Sequence, residues 1–177
     1  SFMVALKGLG YSMNTRNKDE LKQAYNWLIE QNNTMKPVYV GDDVMDNMIS
    51  GNKAMAVVYS GDGSYVINEN NMGFLVPDQG SNVWTDGMVI TKKCKNTKLA
   101  HQFIDYFLSY DVAEQNTDYI GYDSAVKSVY EYFKNDAYAG NPGCGPDTSN
   151  PKNEVFKDQP QDIKAYSSSL WTKVKSH

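Results

Sequence analysis

The sequence has few of the residues on which metal sites and disulfide frameworks depend. Its 177 residues include only two histidines, His101 and His177, and two cysteines, Cys94 and Cys144. These four residues match no recognised zinc-binding spacing. Two cysteines also exclude a disulfide framework, although spacing leaves open whether they form a single bridge. We therefore expect no metal site and no cofactor.

Long apolar runs and an excess of positive charge are also missing. No run approaches the ~18 apolar residues that span a bilayer. The 17 basic and 21 acidic residues give a formal net charge of -4, so no electrostatic field favours nucleic acid or an anionic membrane. We expect no nucleic-acid partner.

Signatures of catalysis are equally scarce. The chain has no Gly-x-Ser-x-Gly elbow, and His101 falls among the polar residues of a predicted amphipathic helix. The stretch "SGDGS" at 60–64 lacks both the Lys-Ser/Thr ending of a phosphate loop and the third glycine of a dinucleotide fingerprint. We interpret it as a strand-to-helix turn. The prediction is a protein that is not an enzyme.

What the sequence does contain is a hydrophobic content of 41% and an aromatic content of 12%, enough for one globular domain with a sizeable core. Helical and strand-like periodicities alternate along the chain, which predicts an α/β fold. Predicted helices are 2–10, one that begins after Asn17 and runs past Leu28, 43–50, 98–108, 111–116, 126–135 and 163–175. Predicted strands are 36–41, 54–60, 74–77 and 82–90. A long Gly/Pro-rich loop is expected at 139–153.

Several helix ends carry recognisable signals. Gly10 is placed as a C-terminal cap, Asn17 and Glu20 form a plausible capping box, and Ser109 is a candidate N-terminal cap. The helix after Asn17 has an apolar stripe, and the helix at 98–108 is expected to turn a second apolar face inward. The stripe consists of Leu21, Ala24, Tyr25 and Leu28. The inward face of the second helix consists of Leu99, Ala100, Phe103, Ile104, Phe107 and Leu108.

The strand "NVWTDGMVI" at 82–90 contains a carboxylate where a doubly buried strand would be apolar. Because side chains alternate along a strand, Trp84 and Asp86 share one face. One interpretation is a core ring beside a carboxylate at a sheet edge. The other is a ring and an acid presented together to an organic cation, where cation–π attraction contributes roughly 0.5–2 kcal/mol. Both remain open on this pattern alone.

The order of these segments resembles the second half of the spermidine/putrescine-binding proteins of bacterial ABC importers. The most specific stretches are "ISGNKAMAVVYSGD" and "VWTDGMVITKKCKNTKLAHQFIDYFLSYDVAEQNTDYIGYDSAV". They are flanked by "LKGLGYSMNTRNKDELKQAYNWL" before and "YSSSLWTKVKS" after. The resemblance covers nearly all of the chain.

The resemblance implies a periplasmic-binding-protein fold: one three-layer β/α lobe plus part of a second lobe. Residues 1–83 and 130–177 would form the C-terminal lobe, and residues 84–129 would be the hinge strand and a segment of the N-terminal lobe. The first half of that second lobe would be absent, so we expect a truncated chain whose partners include the missing N-terminal half. Apolar side chains such as Phe103 and Phe107 would then lack their native neighbours, which predicts repacking or dimerisation.

The resemblance also implies a ligand site. Asp86 would pair with a polyamine amine, Trp84 would flank the ligand, Tyr122 would line the cleft and Tyr59 would form another wall. Tyr59 stands where a tryptophan is common in the family, which puts the preferred polyamine in doubt. Asp62, just after Tyr59, is an additional candidate, although a solvated turn carboxylate, a core Tyr59 and a surface Tyr122 stay open as interpretations.

The expected function is the extracytoplasmic solute-binding component of a polyamine importer, tethered to the outer face of the membrane and delivering its ligand to a membrane permease. A binding protein of the same fold for iron, thiamine or a sugar is the main alternative. A hydrolase and a plain structural domain also stay open.

Overall fold

The computed structural model describes residues 2–41, 43–69, 72–145 and 148–177, with residues 68 and 69 described by their backbone alone. The chain forms two compact units. Unit 1 consists of Ser1–Gly41, Val76–Thr85 and Asp147–His177, and unit 2 consists of Asp42–Leu75 and Asp86–Pro146. The lobes that we assign to residues 1–83 with 130–177 and to 84–129 belong to a whole binding protein, so that assignment stays a prediction.

Helices account for the regular structure of the described residues. They are α1 (Phe2–Gly8), α2 (Lys18–Met35), α3 (Val44–Ile49), α4 (Ser60–Glu69), α5 (Thr97–Phe107), α6 (Tyr110–Ile120), α7 (Lys127–Tyr132) continued by a π-helical turn (Phe133–Ala137), and α8 (Gln161–Lys175). Each helix predicted from periodicity is present, with ends that shift by no more than four residues. The stretch "SGDGS", interpreted as a strand-to-helix turn, is instead the first half of α4, which the predicted helices do not include.

The core of unit 1 lies among α1, α2 and α8. Its members are Ala5, Leu6, Leu21, Ala24, Leu28, Ile163, Leu170 and Val174, none more than 5% exposed. The indole of Trp171 closes one side of this core, since its ring meets Tyr39 edge-on at a centroid distance of 4.9 Å. Burying each large apolar side chain contributes roughly 1.5–3 kcal/mol, so this cluster is the main source of stability in unit 1.

The predicted caps of α1 and α2 are present. Gly10 has a φ of +81°, and the Tyr11 N–H donates to the Leu6 carbonyl at 2.8 Å, which closes α1 in the manner of a glycine C-cap. The Asn17 side chain accepts a hydrogen bond from the Asp19 N–H at 2.9 Å. Glu20 does not complete a reciprocal box, because its carboxylate accepts from the Thr15 hydroxyl.

A partly buried ion pair anchors a second part of unit 1. The Lys7 ammonium donates to the Glu154 carboxylate and to the Lys152 carbonyl at 2.6 Å, and the Met13 N–H also reaches Glu154 at 3.0 Å. Burial raises the pKa of Glu154, but these hydrogen bonds and that from Ser12 outweigh it and lower the pKa to about 2. Glu154 therefore ties an extended segment to α1 while it is ionised.

Unit 2 has a smaller core, formed by Ala113 on α6 with Val129 and Phe133 at α7 and its π-helical turn. α6 is longer than the predicted 111–116. Ser109 precedes it in an extended conformation but provides no side-chain cap, because its hydroxyl donates back to the Tyr106 carbonyl at 2.6 Å.

The predicted strands do not form among the described residues. Residues 36–40, 55–59, 72–77 and 83–91 have no helix, turn or strand assignment, and the isolated bridge that is seen joins Asn82 and Glu154 in parallel. Exposure still alternates at 55–59, where Met55, Val57 and Tyr59 are exposed. A strand requires hydrogen bonds to a neighbour as well as period-two patterning. The helices of the predicted β/α arrangement are present, and its strands are not detected among the described residues.

The inward face predicted for α5 is also wrong, since α5 has no buried residue. Leu99 is 59% exposed, Phe103 56% and Leu108 44%. Phe107 is half-buried and packs its ring on Phe103 at 4.7 Å between centroids. The helix is amphipathic as predicted, but no layer of the described residues covers its apolar face.

The Gly/Pro-rich loop is irregular at 139–145 and 148–153, as predicted. Its residues Pro146 and Asp147 lie outside the described residues. Cys94 and Cys144 are both free thiols, which answers the question that their spacing left open. Burial raises the pKa of the Cys144 thiol above its ordinary value.

Candidate functional site

Four of the five predicted site residues belong to unit 2, and the start of α4 positions two of them. Tyr59 precedes the helix, and its carbonyl accepts the Gly63 N–H at 2.9 Å. Asp62 lies in the first turn, where the positive end of the helix dipole favours a carboxylate by about 0.3–1 kcal/mol. Tyr59 is 57% exposed and Asp62 is half-buried, so α4 presents a ring and an acid together.

The loop after α6 brings Tyr122 to the same place. Gly121 ends α6 with a φ of +71°, and its N–H donates to the Thr117 carbonyl at 2.9 Å. Tyr122 then lies against Gly61, where an added Cβ would be 3.0 Å from the tyrosine ring. The half-buried phenol ring therefore packs beside the residue that precedes Asp62.

The pKa of Tyr122 depends on Asp86 as well as on Asp62 and Tyr59. Burial raises the pKa of the Tyr122 phenol above its ordinary value, and the charge of Asp62 is the next largest cause. Tyr59 and Asp86 raise the Tyr122 pKa further. Tyr59, Asp62, Asp86 and Tyr122 all belong to unit 2, and the charges of the other three act on the Tyr122 phenol. The phenol keeps its proton at neutral pH and remains a hydrogen-bond donor.

Trp84 belongs to the segment Val76–Thr85 of unit 1, two residues before Asp86 in the chain. Its side chain is 38% exposed, and Asp86 is exposed as well. The predicted alternation of faces is not visible here, because residues 84–89 are all exposed. The binding roles of all five residues stay predictions.

The cluster in unit 2 combines carboxylates with aromatic rings. Carboxylates accept strong charge-assisted hydrogen bonds from ammonium groups, and ring faces attract the same cations. Among the residues that the structure describes, no group of three or more His, Cys, Asp and Glu side chains is placed to hold a metal ion. The chemistry of the cluster suits an organic cation.

The sequence patterns missed the glycines that make the site compact. Gly61 had no assigned role beyond a turn, yet its missing side chain lets Tyr122 approach α4. The available signal was the position of Gly61 and Gly121, each immediately before a candidate binding residue. Glycine in such a place is typical of a close backbone approach.

The match to a known family defines the class of protein. Residues 2–142 match the family of bacterial extracellular solute-binding proteins. The chain belongs to this family, whose members bind solutes and are not enzymes.

Three relatives place the chain more narrowly. It is 30% identical to the spermidine/putrescine-binding periplasmic protein of Escherichia coli over 68% of this chain and 35% of that protein. It is 32% identical to the norspermidine sensor of Vibrio cholerae over 68% of this chain and 34% of that protein. The crystal structure of the spermidine/putrescine transporter substrate-binding protein of Streptococcus pneumoniae superposes with a TM-score of 0.82 at 28% identity, over 99% of this chain and 54% of that one.

The predicted resemblance to spermidine/putrescine-binding proteins is thus confirmed. The chain spans about a third of the length of these two curated relatives and about half of the solved structure. In the described part of the chain, no helix combines the length and the apolar character needed to cross a membrane.

Proposed function

We propose that this chain is the ligand-binding part of an extracytoplasmic polyamine-binding protein. The observation that carries the proposal is the cluster of Tyr59, Asp62, Asp86 and Tyr122 within unit 2. Two carboxylates supply negative charge for protonated amines, and two phenol rings supply faces for cation–π contact and for the alkyl chain. The names of the relatives support this ligand class, and they differ in the polyamine that they specify.

Each residue has a role in the proposal. Asp86 pairs with one ligand ammonium group, Tyr59 flanks the alkyl chain, and Tyr122 lines the cleft with its ring facing an ammonium group. Asp62 adds a second negative charge next to Tyr122. The role predicted for Trp84, that of a further ring against the ligand, belongs to the same proposal.

Among the alternative solutes, the structure provides an argument about iron. Ferric iron would favour paired tyrosine ligands in the phenolate form. Burial and the charge of Asp62 raise the pKa of Tyr122, which favours the neutral phenol over the phenolate. The neutral Tyr122 phenol therefore favours an organic cation, which contacts the face of the ring, over ferric iron.

The substitution Asp86→Asn tests the proposal. Replacing the carboxylate removes a charge-assisted hydrogen bond of about 1.5–3 kcal/mol, which corresponds to a roughly 10- to 100-fold weaker polyamine affinity. Isothermal titration calorimetry of the 177-residue chain with putrescine, spermidine and ferric citrate measures it. Since the chain spans about half of a solved relative, we expect polyamine dissociation constants above about 1 μM even before substitution.

Asp105→Asn is the matched control, because Asp105 is an exposed carboxylate on α5 of the same unit. It changes the net charge equally and is expected to leave affinity unchanged. An equal loss of affinity in both variants would mean that the net charge, and not a specific contact with Asp86, causes the effect. Saturable ferric binding without polyamine binding would favour the iron alternative, and submicromolar polyamine affinity would contradict the expected weakness of this chain.

The proposal extends to partners and location. We infer that the protein acts outside the cytoplasm, held at the outer face of the membrane, and delivers its ligand to the permease of an ABC importer. We also propose that the apolar face of α5 packs against the part of the binding protein that corresponds to the remainder of its longer relatives. Loss of labelled putrescine uptake after deletion of the gene, restored by the intact gene, would support the transport role.

A further inference from the structure

Two glycines of unit 2 bring two helix ends into backbone contact. A Cβ added to Gly61 would lie 2.7 Å from the Ile120 carbonyl oxygen and 3.0 Å from the Tyr122 ring. A Cβ added to Gly121 would lie 2.8 Å from the Gly61 carbonyl oxygen. Real Cβ atoms essentially never approach other heavy atoms within 3.0 Å, so any side chain at either position forces a displacement.

This contact decides where the Tyr122 ring lies. Because Gly61 has no side chain, the ring occupies the space next to the first turn of α4, and Asp62 is the following residue. Other close glycines of unit 2 serve different purposes, since Gly63 meets the Phe74 ring and Gly143 meets Ser64. Gly61 is thus the close glycine that contacts a predicted binding residue directly.

We propose that Gly61 is a positioning residue, whose missing side chain sets the spacing between the Tyr122 ring and the Asp62 carboxylate so that both reach one ligand ammonium group. The inference rests on the proposed function, because it assigns the two side chains to the same ligand. Gly61 does not touch the ligand. It acts through Tyr122, and Gly121 supports it from the other side of the contact with a φ that disfavours side chains.

An added methyl group at Gly61 changes the site in a defined way. The methyl group clashes with the Ile120 carbonyl oxygen, which is backbone, and with the Tyr122 ring, so the end of α6 and Tyr122 after it move away from α4. The ring then loses its place beside Asp62, and the ligand loses one cation–π partner. We expect Gly61→Ala to weaken polyamine binding by about 3- to 10-fold.

Gly73→Ala is the matched control. Gly73 lies in the same unit, and an added Cβ there meets nothing within 4 Å. Calorimetry with putrescine is run on the wild type, on both glycine variants, on Tyr122→Ala and on the double variant Gly61→Ala with Tyr122→Ala. If Gly61 acts through Tyr122, its substitution causes no further loss once Tyr122 is gone. Additive losses, or unchanged binding in Gly61→Ala, overturn the inference.

A second readout does not depend on ligand. In protein carrying ¹³C-labelled tyrosine, the Cζ resonance of Tyr122, assigned with Tyr122→Phe, reports the pKa of that phenol. We expect the titration midpoint to fall in Gly61→Ala, because the ring becomes more solvated and moves away from Asp62, and to stay in place in Gly73→Ala. An unchanged midpoint in Gly61→Ala overturns the positioning role.

These readouts separate the two proposals. Absence of polyamine binding in the wild type defeats the proposed function, while the Tyr122 titration still decides whether Gly61 positions the ring. Should Gly61→Ala fail to fold, nuclear Overhauser contacts in the wild type between the Gly61 α-protons and the Tyr122 ring decide instead. Their presence supports the inference, and their absence overturns it.

Discussion

Unit 1 and unit 2 use the same kind of amphipathic helix with opposite results. In unit 1, Leu28 on α2 is 2% exposed and packs among α1 and α8. In unit 2, Leu99 on α5 is 59% exposed although its helix has an equally clear apolar face. Amphipathic patterning states which face of a helix is apolar, but only a second apolar surface decides whether that face is buried.

The electrostatic contrast runs in parallel. The carboxylate of Glu154 in unit 1 is held by Lys7, Ser12 and a backbone N–H, and its pKa falls to about 2. In unit 2, the carboxylates of Asp62 and Asp86 instead raise the pKa of Tyr122. Hydrogen bonds to a carboxylate lower its pKa, whereas a carboxylate near a phenol raises the pKa of that phenol. The contrast supports a structural role for Glu154, while the ligand-binding roles of Asp62 and Asp86 stay a proposal.

The largest expected effect comes from truncating one leucine in each unit. Leu28→Ala is expected to lower the free energy of unfolding of unit 1 by about 2–5 kcal/mol, because it leaves a cavity in a packed core. Leu99→Ala is expected to change stability by no more than about 0.5 kcal/mol. Urea unfolding followed by tryptophan fluorescence reports unit 1, since Trp27, Trp84 and Trp171 all belong to it. For Leu99→Ala, unfolding is followed by the circular dichroism of the helices. A loss of stability comparable to that of Leu28→Ala would mean that the α5 face is packed.

The next largest effect is expected on the free energy of unfolding at acidic pH. The pKa of Glu154 is lowered from 4.5 to about 2, so its contribution to stability is complete above the unfolded pKa and disappears as the pH falls through this window. Glu154→Gln is expected to lose roughly 1.5–3 kcal/mol at neutral pH and to show a flatter stability profile between these values. Urea unfolding at a series of pH values measures both.

Glu131→Gln is the control for that experiment. Glu131 pairs with Lys127 at 3.6 Å in unit 2, but its side chain is 53% exposed, and exposed pairs contribute little. We expect no measurable change in stability. An equal response of the two variants would remove the electrostatic contrast between the units.

At the apolar face of α5 we expect the smallest effect on stability, together with a measurable effect on the molecular mass in solution. A groove of about 480 Å³ there is lined mainly by Met88, Val89, Leu99, Phe103 and Ile104, and exposed apolar patches favour association. We expect the isolated chain to self-associate and Phe103→Asp to shift it towards monomer in size-exclusion chromatography with light scattering. Tyr119→Asp, at a position 90% exposed on α6, is expected to leave the mass unchanged. A wild-type chain that is monomeric at high concentration would show that this face needs no partner.

Local signals predicted the helices well. The stripe of Leu21, Ala24 and Leu28 is buried, Asn17 caps α2, and Gly10 ends α1 with a positive φ. These features depend on residues within one or two turns of each other, so the sequence contains all the information they require. Strand formation at 54–60 or 82–90 depends on hydrogen bonds to distant segments, and the described residues do not provide them.

The candidate site divides in the same way. Period two and the resemblance singled out Tyr59, Asp62, Trp84, Asp86 and Tyr122. They did not predict that Gly61 and Gly121 would meet, because these glycines are sixty positions apart in the sequence. The lobes implied by the resemblance separate Tyr59 and Asp62 from the other three residues, and that assignment stays a prediction. In the structure, Trp84 belongs to unit 1 and the other four residues to unit 2.

The sequence by itself determined most of the helices, the caps at Gly10 and Asn17, the chemical types of the candidate binding residues and the family. Tertiary structure alone decided that the α5 face is exposed, that Glu154 is held by Lys7, and that Tyr122 packs on Gly61 beside Asp62. The physical reason is the separation along the chain of the residues that interact. Helix formation and capping are governed by neighbours in the chain, whereas burial, pKa shifts and the spacing of a site depend on which distant surfaces come together.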